Sequence, residues 1–121
     1  MASHHYLGSG ALSDTLRQAA AEPADLVDEI SGLVRDSGLE VVDHKVVCFD
    51  GGGHTLVWVL AESHLVLHHW EAEGFATLDL HICDYRQSNA GKAAALRQRL
   101  EEFCFRPETA EWRELELPQP S

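Results

Sequence analysis

The feature that most limits the fold of this chain is a series of four strand-like segments between residues 40 and 83. Residues 40–49, 55–61, 64–70 and 75–83 are rich in β-branched and aromatic side chains, and only short turns separate them. The clearest turn is Asp50-Gly51-Gly52-Gly53. Connections this short cannot carry a crossover between parallel strands, so the pattern predicts an antiparallel sheet.

Two helical segments precede these strands. Residues 14–21 favour a helix, and Pro23 suits the first turn of a second helix. The second segment ends near Gly38 and has apolar residues at helical spacing, which predicts an amphipathic helix. These apolar residues are Leu26, Val27, Ile30, Leu33 and Val34.

A third helix is predicted from Ala90 to about Phe103, with Asn89 as its N-cap. Its expected core-facing residues are Ala94, Leu96, Leu100 and Phe103. The Gly- and Ser-rich residues 5–12 predict at most a short edge strand, and residues 115–117 predict a last edge strand. The chain is therefore expected to be a single α+β domain over residues 1–121. We expect a two-layer sandwich, in which helices cover one face of an antiparallel sheet.

The charge and composition exclude several classes of partner. The formal net charge of −11 argues against nucleic acid and anionic membranes, and an acidic protein instead attracts small cations. No apolar run reaches membrane-spanning length, and the first residues lack the features of a signal peptide. Cys48, Cys83 and Cys104 are odd in number and have no CxxC spacing, which favours a reducing cytoplasm. Cys48 and Cys104 are expected to be buried structural residues.

The segment Glu62-Ser63-His64 contains a serine between an acid and a histidine. A serine hydroxyl can attack the carbonyl carbon of the preceding residue if a strained turn holds that peptide bond. Removal of the serine α-proton then breaks the resulting ester, and the dehydroalanine that is left hydrolyses to a pyruvoyl group. His68 can act as the base, because an imidazole titrates near neutrality. Thr55 can supply a hydroxyl if its strand and that of Ser63 form a hairpin.

This reaction requires a particular local geometry. Ser63 and His68 differ by an odd number of residues, so on an ideal strand they point to opposite faces. The hypothesis therefore requires Ser63 to lie in a bend or bulge before the regular strand begins. A serine at this position can equally be an ordinary hydrogen-bonded hydroxyl.

Together these residues resemble the small prokaryotic S-adenosylmethionine decarboxylases, the pyruvoyl-dependent class. The resemblance covers Val42 to about Cys83 without a gap, and it is looser in the flanking helices. The matching residues are Phe49, Gly53, Glu62, Ser63, His64, His68, Trp70, Gly74, Asp79 and Cys83. It implies a proenzyme that cleaves itself between Glu62 and Ser63.

The resemblance also implies how such an enzyme works. Its pyruvoyl group, formed from Ser63, binds the amine of S-adenosylmethionine as a Schiff base. The group accepts electrons as carbon dioxide leaves the substrate. The decarboxylated product is then used for spermidine synthesis. His68 then serves processing, with Glu62 and Thr55 supporting it, and Cys83 is the proton donor. Phe49 and Trp70 hold the adenine and the sulfonium, although core packing is the alternative for both. A homodimer or larger assembly is implied, with residues of both protomers in each pocket.

The chain departs from the family pattern near the expected nucleoside site. The usual glutamate is replaced by Ala72, and Glu71 and Glu73 provide acids on either side, so both are candidate substrate-binding residues. Asp84 replaces the usual glycine, and Ile82 replaces the usual threonine. A pyruvoyl-dependent ornithine or arginine decarboxylase therefore remains an alternative, because extra carboxylates suit a dicationic amino acid.

Two further alternatives stay open. A metal-binding module can be formed if the side chains of His64, His68, His81 and Cys83 converge, although no tight ligand spacing supports it and the preferred hypothesis has no metal. The other alternative is a relative that keeps the fold as a binding or regulatory subunit and does not process itself. Cys83 would then be a small buried side chain.

Overall fold

The computed structural model describes residues 2–118, and six strands within them form one antiparallel sheet. The strands are β1 (Ala2–Ala11), β2 (Val41–Cys48), β3 (Gly53–Leu60), β4 (Ser63–Trp70), β5 (Phe75–Cys83) and β6 (Glu111–Pro118). The helices are α1 (Asp14–Ala20), α2 (Pro23–Asp36) and α3 (Ala90–Cys104). The order across the sheet is β2-β3-β4-β5-β1-β6. The four central segments predicted from the sequence are thus confirmed as consecutive antiparallel strands.

The three helices pack against one face of the sheet and enclose the core with it. Alternate residues of the strands point into this core, as in Leu56, Trp58 and Leu60 of β3, and the neighbouring strands follow the same alternation. The indole of Trp58 is fully buried, and its Nε1 donates a hydrogen bond of 3.1 Å to Ser31 Oγ of α2. This bond satisfies a buried donor and links the two layers. The predicted two-layer α+β sandwich is confirmed.

Helix α3 faces the core with a different set of residues from the predicted one. Its buried residues are Ala93, Leu96, Leu100 and Cys104, which recur at the spacing of a single helical stripe. Ala94 is exposed, so its assignment to the core was wrong, whereas Phe103 is half-buried and packs against the core. Asn89 occupies the N-cap position, but its side chain makes no cap hydrogen bond.

The first strand is the largest difference from the sequence prediction. The Gly-rich opening is a ten-residue strand, and it lies inside the sheet between β5 and β6. Its glycines are needed for close packing: a Cβ at Gly8 would lie 2.6 Å from the ring of Trp112, and one at Gly10 would lie 2.9 Å from Phe105. Strand β6 is an edge strand, as predicted.

The opposite face of the sheet has no helix over it among the described residues, and we call it the open face. It carries polar side chains in its centre, including Thr55, His68 and His64. Several large apolar side chains on it are about 36–48% exposed, namely Leu7, Val59, Leu115 and Leu117. Within residues 2–118, no helix is both long and apolar enough to span a bilayer.

Candidate active site

Ser63 follows a two-residue turn in which the backbone is strained. Leu60 and Ser63 are paired across β3 and β4, so Ala61 and Glu62 alone connect the strands. Glu62 has φ of 59°, a left-handed conformation that is unfavourable for a residue with a Cβ. The bend expected at Ser63 therefore lies one residue earlier, and Ser63 itself is the first paired residue of β4. The Ser63 Oγ accepts a hydrogen bond of 3.0 Å from the Cys83 backbone N–H.

Thr55 and His68 form a cross-strand pair on the open face, as the hairpin prediction required. Thr55 Oγ1 lies 2.7 Å from His68 Nδ1, so the hydroxyl fixes the orientation of the imidazole. Trp70 stacks beside the same ring, with centroids 6.0 Å apart. The imidazole is thus held from two sides.

Ser63 and the Thr55–His68 pair do not meet within one chain. His68 is five residues after Ser63 in a continuous strand, which corresponds to about 16 Å at the usual rise per residue. Ser63 and His68 also point to opposite faces of the sheet, because no bulge interrupts the β3–β4 register. A base at His68 consequently cannot reach the Glu62–Ser63 junction of its own protomer without a large rearrangement.

Cys83 ends β5 on the open face, next to a row of histidines. His64, His81 and His5 occupy paired positions on β4, β5 and β1. The His81 ring lies 5.1 Å from that of His64 and also 5.1 Å from that of His5. His81 Nε2 is 3.9 Å from Cys83 Sγ. We refer to His5, His64 and His81 as the histidine row.

The electrostatics of this region act on Cys83 and His81 in opposite senses. Burial raises the pKa of the Cys83 thiol, and the carboxylates of Glu62 and Asp84 raise it further. Burial lowers the pKa of His81, as do His64 and His5, while Asp79 opposes them. The thiol therefore keeps its proton at neutral pH, and the imidazole of His81 favours the uncharged form.

Phe49 and Trp70 border one cavity of about 190 Å³, together with Thr55, His68 and Glu73. Phe49 is 56% exposed and Trp70 is 37% exposed, so the core-packing alternative does not apply to either aromatic ring. The Trp70 ring also stacks on Phe75, with centroids 5.8 Å apart. The cavity thus combines aromatic surfaces with the carboxylate of Glu73.

Glu71 has a different environment from Glu73. Its Oε1 lies 2.6 Å from Nη1 of Arg17 in α1, and it is not among the residues that border the cavity. The ion pair links the β4–β5 turn to the helical layer, and its exposure limits its contribution to stability. Of the two candidate acids, only Glu73 reaches the cavity.

Asp84, where the family has glycine, joins three elements. Its Oδ1 accepts a hydrogen bond of 2.7 Å from the Asn89 backbone N–H and lies 2.8 Å from His4 Nε2 of β1. These bonds lower the pKa of Asp84, with the Asn89 N–H as the largest cause. The Asn89 side chain donates to the Cys83 carbonyl at 2.8 Å. The end of the strand that carries Cys83 is therefore anchored to α3.

The four candidate metal ligands do not converge. His64 and His68 lie on the same face but four residues apart, which is about 13 Å along a strand. In the part of the chain that the structure describes, no group of three or more His, Cys, Asp and Glu side chains is placed to hold a metal ion. Cys48 is exposed, contrary to expectation, whereas Cys104 is buried as expected.

The sequence prediction missed His5 as a neighbour of the site. Its Nε2 lies 2.6 Å from Asp79 Oδ1, and its ring stacks on His81. The available signal was the alternation of His5, Leu7 and Ser9 with Tyr6 and Gly8, which is the period of a strand with two distinct faces. The glycines and serines obscured it.

Comparison with known proteins identifies the family. The family model described as S-adenosylmethionine decarboxylase matches residues 11–114, and the chain therefore belongs to this family. A relative in Symbiobacterium thermophilum, the S-adenosylmethionine decarboxylase proenzyme, is 46% identical over 74 residues, covering 58% of this chain and 56% of that protein. The alignment thus spans about half the length of this relative.

A second relative and a solved structure are also similar to this chain. An arginine decarboxylase proenzyme from Caldivirga maquilingensis is 36% identical over 50 residues, covering 39% of this chain and 37% of that protein. The crystal structure of the adenosylmethionine decarboxylase from Aquifex aeolicus has a TM-score of 0.77 at 21% identity, covering 98% of this chain and 92% of that chain. The structural likeness establishes the fold.

Proposed function

We propose that this chain is an S-adenosylmethionine decarboxylase proenzyme that cleaves itself between Glu62 and Ser63 to generate a pyruvoyl cofactor. The observation that carries the proposal is the placement of Ser63 directly after the left-handed Glu62, with its hydroxyl bound to the backbone of Cys83. Family membership and the name of the Symbiobacterium relative support the substrate. The product serves spermidine synthesis, as the family resemblance implies.

Self-cleavage uses the strained junction. Ser63 Oγ attacks the Glu62 carbonyl carbon, and an ester replaces the amide. Removal of the Ser63 α-proton expels the Glu62 carboxylate and leaves dehydroalanine, which takes up water and releases ammonia to give the pyruvoyl terminus. The strain at Glu62 favours this sequence because cleavage relieves it. A histidine held in a fixed orientation suits the proton removal, and the Thr55–His68 bond supplies such a histidine.

The residues around Ser63 fit a pyruvoyl group at this terminus. The group supplies a carbonyl that holds the substrate amine and accepts electrons during loss of carbon dioxide. The Cys83 N–H already lies within hydrogen-bonding distance of the Ser63 side chain. Burial and neighbouring acids raise the pKa of Cys83, so its thiol is protonated at neutral pH and can give a proton to the substrate carbon.

The cavity at Phe49 and Trp70 suits a sulfonium nucleoside. Exposed aromatic faces can stack on a purine and attract a cation, and the Glu73 carboxylate adds a negative charge. We assign substrate binding to Phe49, Trp70 and Glu73. Glu71 contributes indirectly, because its ion pair with Arg17 fixes the turn that presents Glu73.

The separation of the two halves of the site supports a homodimer. Ser63 and Cys83 lie at one end of the β4–β5 region, and the Thr55–His68 pair lies about 16 Å along the strand. A second copy placed in the opposite direction against the open face can bring its own Thr55 and His68 to the backbone of the Glu62–Ser63 junction, where the Ser63 α-proton is removed. The exposed Leu7, Val59 and Leu115 supply apolar area for such an interface.

A pyruvoyl-dependent arginine or ornithine decarboxylase is the second candidate, and one observation favours it. Ala72 stands where the family usually has a ribose-binding glutamate, so that carboxylate is missing. The carboxylates of Glu73 and Asp50 border the cavity instead. Incubation of the purified protein with carboxyl-labelled S-adenosylmethionine, arginine and ornithine separates the candidates. Carbon dioxide released from S-adenosylmethionine alone supports the main proposal, and release from only the amino acids overturns it.

The intact mass of the purified protein tests the cleavage step. We expect two fragments that divide at Glu62–Ser63, the second carrying a mass consistent with a terminal ketone. Ser63→Ala should give one uncut chain, whereas Ser88→Ala, in the loop before α3, should cleave normally. A single band from the parent chain would instead indicate a non-processing binding or regulatory relative. The cysteine pattern supports a cytoplasmic location.

A further inference from the structure

The histidine row is a feature of this chain that the proposed chemistry does not yet use. Its three imidazoles cross β4, β5 and β1 in ring contact, and the central one, His81, lies beside Cys83. His81 Nε2 lies 3.9 Å from Cys83 Sγ. On its other side His81 stacks on His5 at an interplanar angle of 24°, and His5 Nε2 is bound to Asp79 at 2.6 Å. The ring of His81 is therefore held facing the thiol.

We propose that His81 is the proton partner of the Cys83 thiol and returns a proton to it after each turnover. The inference rests on the proposed function, in which Cys83 protonates the substrate carbon. That step breaks the S–H bond, forms a C–H bond and leaves a thiolate. The negative charge on sulfur then favours uptake of a solvent proton by the neutral His81 ring, and His81 passes that proton from Nε2 to sulfur. The net uptake of one proton from solvent matches the loss of carbon dioxide from a carboxylate.

The charges around the pair favour this direction of transfer. Glu62 from the β3–β4 turn and Asp84 from the end of β5 raise the pKa of Cys83, so its thiolate is a strong base. Burial lowers the pKa of His81, and His64 and His5 lower it further, so the protonated ring gives up its proton readily. Asp79 limits this decrease. His81 is thus a positioning and proton-supplying residue that acts through Cys83.

The pH dependence of Cys83 alkylation tests the pair without the cofactor. The full chain with Ser63→Ala and Cys48→Ser remains uncut and lacks the exposed thiol of Cys48. Burial raises the pKa of Cys104 to about 12, so that thiol does not compete. Iodoacetamide modification of Cys83 would be followed by mass spectrometry between pH 6 and 10 as a rate profile.

We expect His81→Phe to slow alkylation of Cys83 at pH 7.5 by about tenfold or more, because no imidazole then takes up the thiol proton as the S–C bond forms. His44→Phe, on the distant strand β2, should leave the profile unchanged. His81→Gln keeps a polar side chain that does not titrate, and should behave like His81→Phe. It serves as the second variant if His81→Phe does not fold. Profiles of both His81 variants that coincide with the parent profile would overturn the inference.

The outcome is separable from that of the proposed function. If the parent chain does not cleave itself but His81→Phe shifts the alkylation profile, the thiol–imidazole pair exists and the proposed enzyme is wrong. If the parent chain cleaves and decarboxylates while the alkylation profiles are the same, only the role of His81 fails. In the processed enzyme, His81→Gln should lower kcat at high pH more than at low pH, with KM little changed.

Discussion

At the scale of single residues, the Thr55–His68 contact carries the most specific chemical consequence. Thr55→Val removes the hydroxyl that holds Nδ1, whereas Thr55→Ser keeps it. We expect Thr55→Val to slow self-cleavage about tenfold or more, and Thr55→Ser to have little effect, because a positioned base contributes roughly 10²–10⁴-fold. A time course of uncut chain after cell-free synthesis measures both. Equal self-cleavage rates for Thr55→Val and Thr55→Ser would show that the Thr55 hydroxyl does not take part in processing.

The residue scale also shows where sequence reasoning was limited. The odd spacing of Ser63 and His68 correctly indicated opposite faces of one strand, and the regular β3–β4 register confirms it. The bend that we expected at Ser63 lies one residue earlier, where Glu62 has a left-handed backbone conformation. Glycine is the residue that favours this backbone conformation, so a glutamate there gave no signal in the sequence.

At the scale of secondary structure elements, β1 depends on the small size of Gly8. A side chain there would collide with the Trp112 ring on the neighbouring strand β6. We expect Gly8→Val to lower the free energy of unfolding by about 1–3 kcal/mol, which is typical of overpacking. Urea unfolding followed by circular dichroism measures it.

Gly32→Ala is the matched control for this substitution. Gly32 lies in α2, and a Cβ there meets no atom within 4 Å. This change should leave stability unchanged or raise it by up to about 1 kcal/mol, because alanine favours a helix over glycine. If Gly8→Val and Gly32→Ala were equally stable, the packing explanation for the glycine in β1 would be wrong.

Asp84 connects β5, β1 and α3, and its contribution depends on pH. Its pKa in the folded state is below the ordinary value, chiefly because the Asn89 N–H donates to the carboxylate. The stabilisation is therefore present above about pH 4, the unfolded pKa, and is lost as pH falls through the folded pKa. Asp84→Asn should lower Tm at pH 7, and the difference from the parent should shrink toward pH 3.

Thermal unfolding at both pH values, with Asp28→Asn as an exposed control on α2, measures this effect. The control should change Tm little at either pH, since Asp28 is a surface residue. A constant Tm difference for Asp84→Asn across the pH range would mean that the ionised carboxylate is not the stabilising species.

At the scale of the whole molecule, the separation of Ser63 from His68 predicts complementation between chains. A Ser63→Ala chain keeps His68, and a His68→Ala chain keeps Ser63. Expressed alone, neither should cleave efficiently. In mixed dimers with distinguishable tags, the His68→Ala chain should be cleaved, because its partner supplies the missing imidazole. Mass spectrometry identifies which chain is cut.

Two results would contradict this arrangement. Cleavage that remains absent in the mixture, although tag capture shows that mixed dimers form, would place the base within the same chain. A parent protein that is monomeric by native mass spectrometry, yet fully cleaved, would exclude the shared site. The open face, with exposed Leu115 and Leu117, is the surface whose polar substitution should weaken the dimer.

The sequence by itself determined the consecutive antiparallel strands and the amphipathic helix α2, and it suggested the chemistry that we propose at Ser63. These follow from local rules, because alternation, helical spacing and short turns act between residues close in the chain. It did not reveal β1 as an interior strand, since Gly8 and Gly10 suggest a loop until Trp112 and Phe105 pack against them.

Only the tertiary structure decided which side chains meet. The register of β1, β4 and β5 aligned His5, His64 and His81 beside Cys83, and it kept His68 away from Ser63. Such contacts depend on strand order and on which face each residue occupies, and residues far apart in sequence set both. The sequence therefore determined which reactive groups are present, and the arrangement of the strands determined which of them can act together.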